Sequence, residues 1–154
     1  MATGYDIRLA VLSLVQAANL PGIPLANIKN RMITKVSEGL DALPAVIISP
    51  YGTLSNKPAD FGGGRDWQFR VRIAMVDATG GDAETNQELY EGWLQSAMES
   101  VLVDASTGYS RDVLPGVAGN WEINAENATT FDDSKLGPKF YAFLNAVLRF
   151  EVQR

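Results

Sequence analysis

The chain has 154 residues, 13 Lys plus Arg against 18 Asp plus Glu, and neither histidine nor cysteine. That length makes one domain, able to bury roughly 70% of its unfolded surface without disulfides or metals. The two missing residue types exclude thiolate nucleophiles, Cys/His zinc sites and imidazole bases, and a net charge of −5 disfavours binding to phosphate backbones.

In chain order, Thr3-Gly4-Tyr5-Asp6 has the spacing of a capping box, and Ile7, Val11, Leu14, Val15 and Ala18 then recur at helical steps. Leu9 to Val15 is an apolar run, but no positive segment precedes it, so a helix of a folded domain is expected rather than a secretion signal. No apolar run approaches the ~20 residues of a membrane span, and no membrane role is expected. Pro21-Gly22-Ile23-Pro24 ends the helix. Residues 25–41 suit either a short helix or an irregular edge strand.

Leu43 to Pro50 is a β-branched run closed by proline at both ends and reads as a buried strand. The next sixteen residues, Tyr51 to Asp66, include Pro58 and Gly62-Gly63-Gly64. A loop of that length is expected to be a mobile contact arm, with Tyr51, Lys57, Phe61 and Arg65 as contact residues. Trp67 to Asp77 alternates apolar and polar residues, the pattern of a strand roughly 36 Å long at ~3.3 Å per residue.

After the Gly80-Gly81 turn a second helix is expected, running to about Val103. Tyr90, Trp93, Leu94, Ala97, Met98 and Val101 form its core stripe, and Glu84, Glu88, Glu91, Gln95 and Glu99 lie opposite. Residues 109–119 read as a loop and 121–131 as a weakly patterned strand. The last strand, Phe140 to Gln153, is apolar on both faces, with Tyr141, Phe143 and Val147 on the second. That face is expected either inside the domain or against a neighbouring subunit. The fold class is therefore α+β: a mainly antiparallel or mixed sheet of about four to five strands, two helices on one face, and a long arm between the first two strands.

No motif carries chemistry. The glycine triplet lacks the Gly-Lys-Ser/Thr ending of a phosphate loop, and the carboxylate pairs Asp132/Asp133 and Asp60/Asp66 lie in turn and loop sequence. Charge is more informative. Residues 73–110 hold Asp77, Asp82, Glu84, Glu88, Glu91, Glu99 and Asp104 with no Lys or Arg, whereas Arg8, Lys29, Arg31 and Lys35 stand between Asp6 and Glu38 with no acid. The blocks serve either solubility or complementarity between copies, the basic segment of one meeting the acidic helix of the next.

The order of these elements resembles the tail terminator (tail completion) proteins of long-tailed bacteriophages. The likeness lies in the N-terminal helix, Leu43-Pro44-Ala45-Val46-Ile47-Ile48, the glycine-containing loop, Trp67-Gln68-Phe69-Arg70-Val71-Arg72-Ile73, the amphipathic helix from about Ala83 and the long closing strand. The resemblance implies a structural virion protein, assembled in the host cytoplasm, that forms a homohexameric ring in the tail or neck. Such a ring ends tail-tube polymerisation, contacts tail-tube protein and a head-completion or connector protein, and lets DNA pass without specific binding. It implies no catalysis and no cofactor. Glu84, Glu88, Glu91, Arg31, Lys35, Tyr141, Phe143 and Val147 are the expected inter-subunit or lumen residues. A head-closure or connector protein is the alternative, and a small carboxylate-dependent enzyme or metal-binding protein a remote one.

Overall fold

A computed structural model describes residues 2–32, 43–52, 54–58, 65–78, 87–131 and 141–153. Helix α1 spans Gly4–Ala17. Its start is the expected box: the Thr3 N–H donates to Asp6 Oδ2 at 2.8 Å and the Asp6 N–H to Thr3 Oγ1 at 3.3 Å, so two helix-end amides are satisfied. Ile7, Ala10, Val11 and Val15 are buried along one stripe. The chain leaves the helix through Asn19 and Gly22, both at positive φ, and Gly22 suits a turn that a side chain would strain.

The stretch left open in the sequence resolves, as far as Met32, into a short 3-10 turn, Leu25–Asn27, and strand β1, Ile28–Asn30. β1 runs parallel to β2, Ala45–Pro50. Next come β3, Ser55–Pro58, β4, Arg65–Ala78, helix α2, Gln87–Leu102, β5, Trp121–Phe131, and β6, Tyr141–Val152. The sheet order is β1-β2-β4-β6-β5, with β3 continuing along the edge of β4 that β2 also occupies. Every pairing except β1 with β2 is antiparallel.

Two expectations change here. The sheet has six strands among the described residues rather than four or five, because β1 and β3 are too short to show a period. The Tyr51–Asp66 span is not loop throughout: Ser55-Asn56-Lys57-Pro58 pairs with Gln68-Trp67-Asp66-Arg65. No apolar residue marks that strand, so alternation could not find it.

Both helices pack on one face of the sheet. Tyr90, Trp93, Leu94, Ala97 and Val101 of α2 join the α1 stripe over Val46, Ile48, Phe69, Val71, Ile73, Met75, Leu144, Ala146, Leu148 and Phe150. Each large aliphatic or aromatic side chain so buried contributes about 1.5–3 kcal/mol. Two polar contacts fix α2 in place: the Tyr90 hydroxyl donates to Asp77 Oδ2 at 3.0 Å, and the Trp93 indole N–H to the Pro21 carbonyl at 2.6 Å. Loop residue Arg111 reaches back to the Ser100 and Val103 carbonyls at 3.3 and 3.2 Å, supplying the cation that the last turn of α2 lacks.

The second face divides along its length. Ala45, Ile47, Ser49, Ala74, Val76 and Val147 are all buried there. Toward the other end of β4 and β6 the same face becomes polar, with Gln68 opposite Glu151 and Arg70 opposite Arg149. One end of the sheet is thus interior on both sides, and the other carries charge.

Candidate assembly surfaces

Two charged surfaces lie on opposite layers of the molecule. The first is the outer side of α2. Glu88, Glu91, Gln95 and Glu99 are exposed, while the residues between them supply the core. Glu88 stands in the first turn, where a carboxylate also favours the helix dipole.

The acidic block is not one surface, however. Asp77 is tied to Tyr90, and the Asp104 carboxylate accepts the Ser106 N–H at 2.9 Å and its hydroxyl at 2.7 Å. Those Ser106 hydrogen bonds, side chain first, hold the Asp104 carboxyl below its ordinary pKa. Asp82 and Glu84 lie outside the described residues. Of the seven acids, Glu88, Glu91 and Glu99 are the ones displayed on the helix.

The basic segment expected to face them is also dispersed. Arg8 is buried on the inner side of α1: its Nε donates to Asn30 Oδ1 at 3.0 Å and one terminal nitrogen contacts Met32 Sδ at 3.6 Å. Burial pushes the guanidinium pKa down, against a smaller upward effect of Tyr5. The Arg31 backbone N–H donates to the Ile48 carbonyl at 2.9 Å and extends the β1–β2 pairing. Lys35 lies outside the described residues.

The second charged surface was not expected. Arg70 and Arg72 on β4 and Arg149 on β6 share the polar end of the sheet face away from the helices. Arg70 Nε donates to Glu126 Oε2 at 2.7 Å, across the intervening strand β6. Arg149 Nε lies 3.4 Å from Glu151 Oε1, an ion pair without a hydrogen bond, and Glu151 also accepts from Gln68. Arg72 has the Tyr51 ring 4.6 Å from its guanidinium carbon, and its Nε is buried without a hydrogen-bond partner. The sequence shows Arg70 and Arg72 two residues apart, but only the β4–β6 register brings Arg149 beside them.

The other expected contact residues scatter. Tyr51 is half-buried on Arg72, with its N–H on the Arg70 carbonyl at 3.2 Å. Lys57 pairs with Asp66 and Arg65 with Pro58 in the β3–β4 ladder. Phe61 lies outside the described residues. The backbones of Tyr141 and Phe143 pair with Ala78 and Val76. Val147 is only 1% exposed, so at this position the second face of the last strand is closed within the chain and needs no neighbour.

A cleft of about 530 Å³ opens at one end of the sheet, between Asp6 of α1 and Asp66, Trp67 and Trp121 at the starts of β4 and β5. Its carboxylates are committed, Asp6 to the helix cap and Asp66 to contacts of its own. Among the described residues no group of three acids could hold a metal ion, and no helix is long and apolar enough to cross a membrane.

No family model matches the chain, and no curated protein matches it. Among solved structures, a chain of the virion of the native gene transfer agent particle is similar to it at 15% identity. That match covers 99% of this chain and 98% of the other with a TM-score of 0.59. A second solved chain matches at 13% identity, over 100% of this chain and 98% of its own, with a TM-score of 0.51. Both likenesses run end to end and establish the fold.

Proposed function

We propose that this chain is a structural protein of a phage-like virion and that it forms the tail terminator ring, a homohexamer at the head-proximal end of the tail. The observation behind the virion reading is the end-to-end likeness to a chain of a gene transfer agent virion, 99% of one against 98% of the other. The order of elements, from the capped N-terminal helix to the long closing strand, supports the same reading.

In this role the protein works by fit and without catalysis. It needs a lateral surface for its own copies and two axial surfaces, one for the last ring of tail-tube protein and one for the head-completion or connector protein. Opposed charged layers on one rigid sheet meet the first need. DNA passes through the ring, and an overall charge of −5 keeps it from being held there.

Solution mass, measured for the protein alone and mixed with tail-tube protein, tests the proposal. A hexamer, or a hexamer formed on the tube, is expected. A monomer under both conditions overturns it. A second measurement, placement of the chain in a virion map, separates the terminator from another neck component.

A further inference from the structure

The three arginines on the back of the sheet form an unbalanced group. Arg70 and Arg149 are direct cross-strand partners, and like charges directly opposite destabilise a sheet. Glu126 and Glu151 each compensate one of them. Arg72 has an aromatic ring instead of a carboxylate. A guanidinium held over a ring face loses part of its freedom, and arginine's planar fork takes a carboxylate two-handed.

The same chain displays carboxylates on its opposite layer. Glu88 and Glu91 are three residues apart on α2, which puts their Cβ atoms about 5–6 Å from each other. Arg70 and Arg72 are two residues apart on β4, roughly 6.6 Å. The spacings match to within the reach of either side chain, and α2 carries no cation of its own.

We propose that copies of this chain join head to tail, the outer face of α2 in one seating Glu88 and Glu91 on the Arg70–Arg72–Arg149 cluster of the next. This rests on the ring reading and names its lateral contact. Because the two surfaces lie on opposite layers, the contact is heterologous: it closes into a ring if the rotation closes and grows as a filament if it does not. A phosphate chain is the poorer occupant. A long anion lying along the cluster would meet Glu126, Glu151 and Glu122 beside Arg70 and Arg149, whereas two carboxylates on one helix turn need reach only Arg72, the arginine with no carboxylate of its own.

Complementary charge reversal tests the contact. One variant carries Glu88→Arg and Glu91→Arg, the other Arg72→Glu, and mass is read under the conditions in which the wild type assembles. Each variant alone is expected to need at least tenfold more protein to assemble. An equimolar mixture is expected to assemble again, as an alternating ring in which each reversed surface meets its complement. Wild-type assembly should also weaken with added salt. Circular dichroism checks that each variant folds, and Arg72→Gln, expected to weaken assembly less than Arg72→Glu, replaces it if the reversal unfolds the chain. Assembly unchanged in both variants, or a mixture as inert as its parts, overturns this contact and leaves the ring standing. Arg72→Glu that spares the mass but abolishes retention on duplex DNA assigns the cluster to phosphate and overturns it equally. A wild type that never assembles, with or without tail-tube protein, removes the ring and the contact together.

Discussion

At the scale of single residues, Thr3 and Arg8 show how one side chain can carry a local decision. Thr3 supplies the acceptor and Asp6 the carboxylate that close the start of α1. Thr3→Ala is expected to cost about 1 kcal/mol in urea unfolding. The backbone hydrogen bond from Thr3, then that from its hydroxyl, holds the Asp6 carboxyl below its ordinary pKa. A folded-state pKa below the unfolded one means that the carboxylate stabilises the fold fully above the unfolded value, near 3.9. That contribution is lost as pH falls through the lowered folded value. Comparing wild type with Asp6→Asn across pH 2–6 should show a stability gap that is open at the upper end and closes at the lower. A gap unchanged over the range would mean the cap does not depend on that charge. The box was legible in the sequence because all its partners lie within four residues. Arg8 was not, because its partner Asn30 is 22 positions away.

At the scale of elements, the strongly periodic ones were legible and the short ones were not. Helix α2 and strand β4 announce themselves by five or more apolar residues at a constant step, and Tyr90, Trp93, Leu94, Ala97 and Val101 are buried as that step requires. β1 and β3 owe their existence to pairing with β2 and β4, which local pattern does not encode. The second face of β6 is the instructive case. Its apolar residues fitted either an interior or an interface, and Val147 is interior. Val147→Ala is therefore expected to destabilise the isolated chain by about 2 kcal/mol, the lost burial of the two methyl groups plus the cavity they leave. Chemical denaturation of the unassembled protein measures it. Full stability with lost assembly would return Val147 to the interface.

At the scale of the whole molecule, what the sequence could not show is which charges share a surface. The acidic run from Asp77 to Asp104 looks continuous along the chain, yet folding spends Asp77 and Asp104 on internal hydrogen bonds and displays Glu88, Glu91 and Glu99. The basic run from Arg8 to Lys35 loses Arg8 to the interior. The cation cluster comes instead from Arg70, Arg72 and Arg149, assembled by a register spanning some eighty residues of chain. Such surfaces depend on long-range pairing, which neither composition nor periodicity fixes. If they make the lateral contact, Glu88→Lys should shift the stability of the unassembled chain by only about 0.3–1 kcal/mol, its share of the α2 dipole. Its effect on assembly should be much larger. Comparing the melting curve with the assembly isotherm separates the two.

The outer strands of the sheet bear on what happens before any partner arrives. β1 has three residues. β5 is longer but irregular: Glu126 has no partner between Ala125↔Leu148 and Asn127↔Val147, and the register shifts again before Thr130↔Asn145. A bulged or very short margin is a poor template for another strand. Free chains can therefore reach high concentration without zipping into fibrils. Deleting Glu126, which would straighten the first irregularity and also remove the Arg70 partner, is expected to raise the rate of thioflavin-positive aggregation. Glu126→Gln, which keeps the bulge, should not.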